Sequence, residues 1–324
     1  MTTSPTPDLA DVLAARQRIA PYLRPTPLYR YPALDALTGA QLWVKHENHQ
    51  PVGAFKVRGG VNLVSQLTAD ERHRGVIAAS TGNHGQSVAY AAELFGVRAV
   101  ICMPERANPV KVESLRALGA EVVFHGRDFD DAREHCEKQA AEHHYRYIHS
   151  GNEPALIAGV ATYTLEIIEA RPDIEVIVVP VGGGSGAAGA CVAAKAIRPS
   201  IQVIGVQSEA APAAYRSWQA RSLLNDATST FAEGLATRTA FELPQRILQE
   251  LLDDFVLVSE DALKAATRLM IEKTRNLVEP AGAAALAAVL GTPGRFAGRR
   301  AAIVCSGGNI SPAQLAGLWP RESA

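Results

Sequence analysis

The sequence has almost no surplus of charge of either sign. Its 324 residues include 32 Lys and Arg against 33 Asp and Glu, which gives a formal net charge of −1 with 20% charged residues. Binding to a nucleic-acid backbone needs a basic surplus, so we expect no nucleic-acid partner. The length is sufficient for two domains and a large hydrophobic core.

Cysteine is scarce and scattered. The four cysteines, at positions 102, 136, 191 and 305, form no C-x-x-C pair and no dense cluster. This pattern is typical of a reducing compartment, so we predict a cytoplasmic protein. The first residues contain neither a basic segment nor an apolar core of the kind that directs secretion, and we expect no signal peptide.

Long hydrophobic runs are also missing. The longest apolar segment, residues 281–290, is too short to cross a bilayer and is rich in alanine. A buried helix explains it better than a membrane span, and we expect no membrane partner.

Short apolar runs instead alternate with segments of helical period. The strand-like runs are 41–44, 75–79, 99–102, 121–124, 175–179, 202–206 and 301–304, and the clearest helical segments are 86–95, 109–118 and 261–277. This alternation predicts an α/β fold built from two doubly wound domains with mainly parallel sheets.

The run from 76 to 124 forms a self-contained βαβαβ block, and a second set of strands begins at residue 175. We therefore predict a large domain from residues 1–47 and 148–324, with a small α/β domain, 48–147, inserted in it. Ligands favour domain interfaces and the carboxyl ends of parallel strands, so the cleft between the domains is the expected site.

Four loops could carry chemistry, and the first contains G-A-F-K-V-R-G. Pro51 and Gly53 predict a turn, after which Lys56 lies in the first turn of a helix. The helix dipole disfavours a cation there and would lower the pKa of the amine, which suits a nucleophile or base. The alternative is a lysine exposed on a solvated helix face beside Arg58.

The second loop, S-T-G-N-H-G-Q at residues 80–86, directly follows a predicted strand. Small residues and short polar side chains at such a turn can form a nest of N–H donors for a carboxylate. A simple helix cap with a turn would use the same residues.

The third loop, V-P-V-G-G-G-S-G-A-A-G-A, joins a strand to a helix and contains G-x-G-x-x-G at Gly184, Gly186 and Gly189. A helix N-terminus of this kind can bind a phosphate. Glu209 lies about twenty-five residues further on, near the place of a ribose-binding acid, so a nicotinamide dehydrogenase is one hypothesis. A cofactor with a single phosphate would need the same loop and no acid.

The fourth loop, C-S-G-G-N at residues 305–309, follows another strand. Ser306 at the strand's carboxyl end would direct its hydroxyl into the cleft, unless the segment is merely a tight turn. A dehydrogenase explains the third loop alone, whereas a cofactor that is held by a lysine and carries one phosphate explains all four.

These four motifs, in this order, resemble the fold type II (tryptophan synthase beta-like) pyridoxal-phosphate enzymes, specifically the threonine/serine dehydratase and serine racemase family. The resemblance extends from R-P-T-P-L at residues 24–28 to S-G-G-N at residues 306–309. It implies pyridoxal 5'-phosphate as cofactor, a small amino acid as substrate, and a homodimer or higher homo-oligomer.

The resemblance also implies a role for each matching residue. Lys56 would bind the cofactor covalently, with Phe55 beside the ring, Asn83 on the 3-hydroxyl, Ser306 on the pyridine nitrogen and Glu279 close to the ring. The phosphate would lie on Gly182, Gly183, Gly184, Ser185 and Gly186, and the substrate on Ser80, Thr81, Gly82, His84 and Thr237.

The implied reaction is the dehydration of a β-hydroxy-α-amino acid to a 2-oxo acid and ammonia, with Lys56 as the general base. Ser306 is neutral, so it would make the ring a weaker electron sink than an acid would. Racemases of the family have a serine at the position of Thr81, which keeps the hydroxyl, so racemisation is the alternative activity. A protein that binds the cofactor only as a sensor is a further hypothesis.

Departures from the family concern the metal and the substrate. Metal-activated members have a glutamate where this chain has Gln207, and their aspartate is replaced around Ala213, so we expect no metal, although Glu209 is near. Ala54 replaces a frequent serine. With Phe129 and Thr237, it indicates a larger side chain than that of serine, such as phenylserine or 3-hydroxyaspartate.

Overall fold

A computed structural model describes residues 4–319, in which ten strands form two separate sheets. The strands are β1 (Leu28–Arg30), β2 (Gln41–His46), β3 (Val76–Ala79), β4 (Ala99–Met103), β5 (Glu121–Phe124), β6 (Arg146–Tyr147), β7 (Val176–Pro180), β8 (Gln202–Ser208), β9 (Asp254–Val258) and β10 (Arg300–Cys305). Both sheets are mainly parallel, which confirms the predicted α/β class.

Helices connect these strands. They are α1 (Leu9–Ile19), α2 (Pro32–Thr38), α3 (Lys56–Val64), α4 (Ala69–Arg74), α5 (Asn83–Leu94), α6 (Pro109–Ala117), α7 (Phe129–His143), α8 (Pro154–Ala170), α9 (Ser185–Ile197), α10 (Ala213–Ala220), α11 (Glu242–Leu251), α12 (Glu260–Thr274), α13 (Pro280–Gly291), α14 (Pro293–Phe296) and α15 (Pro312–Ala316). Among residues 4–319, none of them is both long and apolar enough to cross a membrane.

The larger sheet has six strands in the order β1-β2-β10-β7-β8-β9, and β1 alone runs antiparallel to its neighbour. The central strand β7 is buried along its whole length, as expected for a parallel strand with helices on both faces. Helices α8 and α9 pack on one face, and α12 and α13 on the other. The apolar segment at 281–290 forms α13 and is buried, as predicted.

The smaller sheet has four parallel strands in the order β5-β4-β3-β6. Helices α3, α5 and α6 cover one face, and α7 covers the other. Its strands lie within residues 76–147, whereas the strands of the larger sheet lie within 28–46 and 176–305. The domain boundaries 1–47, 48–147 and 148–324 stay a prediction.

Seven strands were predicted within two residues of their ends, and three were missed. β1 and β6 span three and two residues, which is too short for a periodic pattern. β9 is longer, but it lies at the edge of its sheet with half-buried residues, so its burial pattern is weak.

A buried ionic cluster holds the helix that begins at Lys56. Arg58, on α3, donates from Nε to Glu47 Oε2 at 2.7 Å and from Nη1 to Glu166 Oε1, on α8, at 2.6 Å. Lys45, on β2, also contacts Glu166. The two cations balance the two acids, which such burial requires. Arg58 is 1% exposed, so it is an internal anchor and not a solvated neighbour of Lys56.

Candidate active site

A cleft opens where β3 of the smaller sheet faces β7 and β10 of the larger one. Every site residue predicted from the sequence lines it: Phe55, Lys56, Ser80, Thr81, Gly82, Asn83, His84, Gly182, Gly183, Gly184, Ser185, Gly186, Thr237, Glu279 and Ser306. Phe129 is also in the lining.

Lys56 is the first residue of α3 and is reached from the cleft. Its Nζ donates to the Ser185 hydroxyl at 2.8 Å and to the Ser150 carbonyl oxygen at 3.1 Å. Both partners are neutral, so no charge offsets the loss of solvation, and burial lowers the pKa of Lys56 to about 8. The predicted direction is confirmed, but burial is the cause, where the sequence suggested the helix dipole.

The turn after β3 presents the N-terminus of α5 to the cleft. The N-cap of this helix is Gly82, whose own N–H donates to the Ser80 hydroxyl at 3.0 Å. A glycine has no side-chain oxygen that could bond the first N–H groups of the helix, in contrast with Thr68 at the start of α4. These N–H groups are available to an anion.

The turn after β7 repeats this arrangement at the start of α9. Its N-cap, Gly184, has φ +88°, a left-handed conformation that favours glycine. At Gly182 a Cβ atom would lie 2.3 Å from the Gly234 carbonyl oxygen, so two backbone segments meet too closely for a side chain. The loop therefore forms a second cradle of N–H groups, next to Lys56.

Asn83 and Glu279 meet on one wall. The Asn83 side-chain Nδ2 donates to Glu279 Oε1 at 2.6 Å. Burial raises the pKa of Glu279, while the positive charge of Lys111 and the bond from Asn83 oppose the rise. Asn309 donates to Asn83 Oδ1 at 2.7 Å.

Ser306 follows β10 and is 7% exposed. Its carbonyl oxygen accepts from the Phe55 N–H at 3.0 Å, which links it to the segment that carries Lys56. The Phe55 ring lies against Gly186, where an added Cβ would come within 3.1 Å of it. Ser306 and the Phe55 ring therefore line the same cleft as Lys56.

His84 is buried at the base of the turn. Its Nε2 lies 3.1 Å from the Ile148 carbonyl oxygen, which can only accept, so Nε2 carries the proton. Burial, followed by the charge of Lys56, lowers the pKa of His84 to about 3 and keeps it neutral. Within the described chain, its Nδ1 and the Thr237 hydroxyl are buried without a protein partner.

The structure adds two charged residues that the sequence analysis did not select. Lys111, on α6, forms an ion pair with Glu233, and both line the cleft. The Lys111 side chain is 7% exposed and lies near Gly82, where a Cβ would be 3.2 Å from its Nζ. No local motif marks this pair, because its members are 122 positions apart.

Among residues 4–319, no group of three or more His, Cys, Asp or Glu side chains could hold a metal ion, and this includes the region considered for a metal. Gln207 is buried, and its Oε1 accepts from the Tyr215 N–H at 3.0 Å. Glu209 is exposed and does not belong to the cleft lining, so the acid that the dehydrogenase hypothesis needs is not at the site.

Comparison with known proteins shows the family of the chain. The chain is 39% identical over 303 residues to the L-threonine ammonia-lyase of Thermotoga maritima, which covers 93% of this chain and 75% of that relative. It is 35% identical over 313 residues to the L-threo-3-hydroxyaspartate ammonia-lyase of Saccharomyces cerevisiae, with 96% of each chain covered.

The solved structure of maize serine racemase superposes with a TM-score of 0.91 at 31% identity and covers 97% of both chains. The sequence model of one family, described as pyridoxal-phosphate dependent enzymes, matches residues 19–307. That span includes both anion cradles, Lys56 and Ser306, and the chain belongs to the pyridoxal-phosphate-dependent enzymes.

Proposed function

We propose that the protein is a pyridoxal-phosphate-dependent ammonia-lyase that converts a β-hydroxy-α-amino acid into a 2-oxo acid and ammonia. The observation that carries this proposal is a lysine of lowered pKa between two anion cradles, at the starts of α5 and α9. The ammonia-lyases among the relatives support the reaction class.

The residues present fit the cofactor. The cradle at Gly182–Gly186 is next to Lys56, through the bond to Ser185, so one molecule that carries both a phosphate and an aldehyde can reach both. Asn83, Glu279 and Ser306 supply polar groups on the walls between them. Lys56, Phe55, Asn83 and Ser306 would hold the ring, and Gly182, Gly183, Gly184, Ser185 and Gly186 the phosphate.

Pyridoxal phosphate, when bound, withdraws the electron pair that is left on the α-carbon once its proton has been removed. Lys56 is suited to remove that proton, because a pKa of about 8 leaves part of the amine neutral near pH 7. Its hydrogen bonds to Ser150 and Ser185 orient Nζ toward the cleft. Ser306 contributes a neutral hydroxyl and so adds no negative charge beside the ring.

The turn at Ser80–His84 would bind the substrate carboxylate through the free N–H groups of α5, with Thr81 beside it. Lys111 places a positive charge at the same turn. Thr237 and Phe129 lie in the lining where the substrate side chain would extend. The net reaction releases ammonia and neither gains nor loses water. One water is lost when the β-hydroxyl is eliminated, and one is taken up when the amino nitrogen is hydrolysed to ammonia.

The test is a substrate panel on the holoenzyme: L- and D-serine, L-threonine, 3-hydroxyaspartate and phenylserine, scored for 2-oxo acid and ammonia. We expect stoichiometric release of both from at least one member. Lys56→Ala should abolish release, and Lys56→Arg should do the same because its guanidinium stays protonated. Release of 2-oxo acid by Lys56→Ala at the wild-type rate would refute the proposal.

Racemisation is a second candidate, because Thr81 presents a hydroxyl in the same cleft as Lys56 and a serine racemase shares the fold at 31% identity. It predicts that substrate recovered from deuterium oxide contains the antipode with deuterium at the α-carbon. Recovery of a single enantiomer eliminates this candidate and leaves the ammonia-lyase proposal intact.

We also propose that the protein works in the cytoplasm as a homodimer or higher homo-oligomer with an amino acid as its ligand. The four cysteines, buried as free thiols, support a reducing compartment. Light scattering on the eluting peak of a sizing column measures the mass of the assembly against the 34.5 kDa chain.

A further inference from the structure

We propose that Asn309 is a positioning residue that determines which end of the Asn83 amide faces the cleft. This inference rests on the proposed function, in which Asn83 donates a hydrogen bond to the cofactor. An amide can present either an N–H or an oxygen to a ligand, and the two ends have nearly the same shape. The protein therefore needs a device that selects the donor.

The device is a chain of three hydrogen bonds. Asn309 Nδ2 donates to the Val52 carbonyl oxygen at 2.8 Å and to Asn83 Oδ1 at 2.7 Å. Asn83 Nδ2 in turn donates to Glu279 Oε1 at 2.6 Å. Both hydrogens of Asn309 Nδ2 are used, whereas Asn83 Nδ2 has one left for a ligand in the cleft.

The direction of this chain follows from the chemistry of its two ends. The Val52 carbonyl can only accept, so the NH₂ group of Asn309 must face it, and the same group then reaches Asn83. Asn83 must therefore accept this hydrogen bond with its Oδ1, which turns its own NH₂ group toward Glu279 and the cleft. Glu279 alone could not ensure this, because burial raises its pKa and a protonated carboxyl group can also donate.

The backbone around Asn309 holds its amide in place. Gly53 has φ +67°, and a Cβ there would lie 2.7 Å from Asn309 Oδ1, so the amide is packed against the glycine. The Gly308 N–H donates to the Gly53 carbonyl oxygen at 2.9 Å, which joins the two segments. Asn309 follows β10 of the larger sheet, whereas Asn83 is the first residue of α5, which covers the smaller sheet. Asn309 therefore orients the Asn83 amide from the opposite side of the cleft.

Two substitutions separate positioning from structural support. Asn309→Ala removes the donor, and we expect about threefold to tenfold weaker binding of pyridoxal phosphate to the apoprotein. Asn309→Asp keeps the shape but presents oxygen to both Val52 and Asn83, which favours a rotated Asn83 amide with its oxygen toward the cleft. We expect it to bind pyridoxal phosphate more than about tenfold more weakly and to change the visible spectrum of the holoprotein.

If Asn309 had only a structural role, Asn309→Ala should weaken cofactor binding more than Asn309→Asp, since aspartate fills the volume that alanine leaves empty. Asn48→Ala is the matched control: Asn48 Nδ2 donates to the Leu277 carbonyl oxygen at 3.2 Å and, unlike Asn309, is not bonded to Asn83. We expect wild-type cofactor affinity for this variant. In an Asn83→Ala background, Asn309→Asp should have no further effect on affinity, because its target is gone.

The outcomes distinguish the two proposals. Wild-type apoprotein that takes up no pyridoxal phosphate overturns the proposed function, and this inference with it. If the wild-type apoprotein binds pyridoxal phosphate, and Asn309→Asp binds it with the same affinity and the same visible spectrum, the inference alone is overturned. A loss of affinity that persists in full in the Asn83→Ala background also overturns the inference alone.

Discussion

The amine of Lys56 lies 2.8 Å from the hydroxyl of Ser185, and each residue is the first of its helix. The bond joins α3 to α9 across 129 positions of the sequence. It brings the nucleophilic amine to the N–H cradle of the glycine loop with a neutral partner. A carboxylate at the place of Ser185 would have held the lysine in its charged form.

The lowered pKa of Lys56 predicts how its reaction with pyridoxal phosphate depends on pH. The neutral amine attacks, so the rate of covalent attachment to Lys56 should rise roughly tenfold per pH unit and level off above the pKa of about 8. Borohydride makes the link permanent, and mass spectrometry of the digest measures it. Lys138, 71% exposed, is the solvated reference in the same sample. A rate that still rises steeply at pH 10 would contradict the lowered pKa of Lys56.

The pair between Lys111 and Glu233 predicts opposite effects on substrate affinity. Lys111→Met removes a positive charge from the turn at residues 80–84, which would bind the substrate carboxylate. KM for the amino acid should therefore rise about tenfold, as expected for the loss of one charge-assisted hydrogen bond. Glu233→Gln frees the lysine and should lower KM, most of all for 3-hydroxyaspartate with its second carboxylate. Steady-state kinetics on the holoenzyme measures both.

Lys195 provides the control for this pair. It binds Asp253 at 2.6 Å in a similar lysine–carboxylate contact, and neither residue lines the cleft. Lys195→Met should leave KM unchanged. If Lys111→Met and Glu233→Gln both raised KM, the pair would be a contact that closes the cleft rather than a source of binding charge.

Removal of Arg58 should destabilise the fold strongly. Arg58→Ala leaves Glu47 fully buried without its guanidinium partner, and we expect a loss of about 3–5 kcal/mol in the free energy of unfolding. Urea unfolding of the apoprotein measures it. The double variant Arg58→Met with Glu47→Gln should recover much of the loss, because both charges are gone.

Arg98 is the comparison for this prediction. Its pair with Glu121 at 2.6 Å is more than half exposed on both sides, and Arg98→Ala should cost less than about 1 kcal/mol. If Arg58→Ala and Arg98→Ala lowered the free energy of unfolding equally, burial of the ionic cluster would make no difference to stability.

Two buried histidines, His46 and His84, and the half-buried His149 predict that stability falls below pH 6.5. Burial lowers the pKa of His46 and His149 to about 4 and that of His84 to about 3. The unfolded chain therefore binds more protons than the folded one in this range. Each histidine should remove about 1.3 kcal/mol of unfolding free energy between pH 7.5 and pH 5.5. His46→Gln should remove about a third of this histidine-dependent change, whereas a substitution of the exposed His73 should leave it intact.

Most of the cleft could be predicted, because three of its walls are short segments that directly follow strands and the fourth is a turn at the start of a helix. Lys56, Asn83, Ser185 and Ser306 each lie in a local motif whose small residues mark a turn. Lys111 and Glu233 could not be selected in this way. Each is an ordinary charged residue in its own segment, and their role depends on a contact that the sequence order does not express.

The strands of the fold likewise divide into those that local sequence patterns predict and those that they do not. The central strands were predictable from apolar runs that parallel sheets bury on both faces, whereas β1, β6 and β9 have weak patterns and pair with strands through tertiary contacts. The ionic cluster around Arg58 was missed because its partners come from β2, α8 and the turn between β2 and α3.

The sequence by itself determined the α/β class, the glycine turns and the lysine at a helix start, since these depend on local periodicity and on the conformations that glycine allows. The tertiary structure alone decided the burial that lowers the pKa of that lysine, the burial of Glu279 and the direction of the Asn309–Asn83 hydrogen bonds. Desolvation and hydrogen-bond direction depend on groups that are distant in sequence, so they exist only once the two sheets face each other.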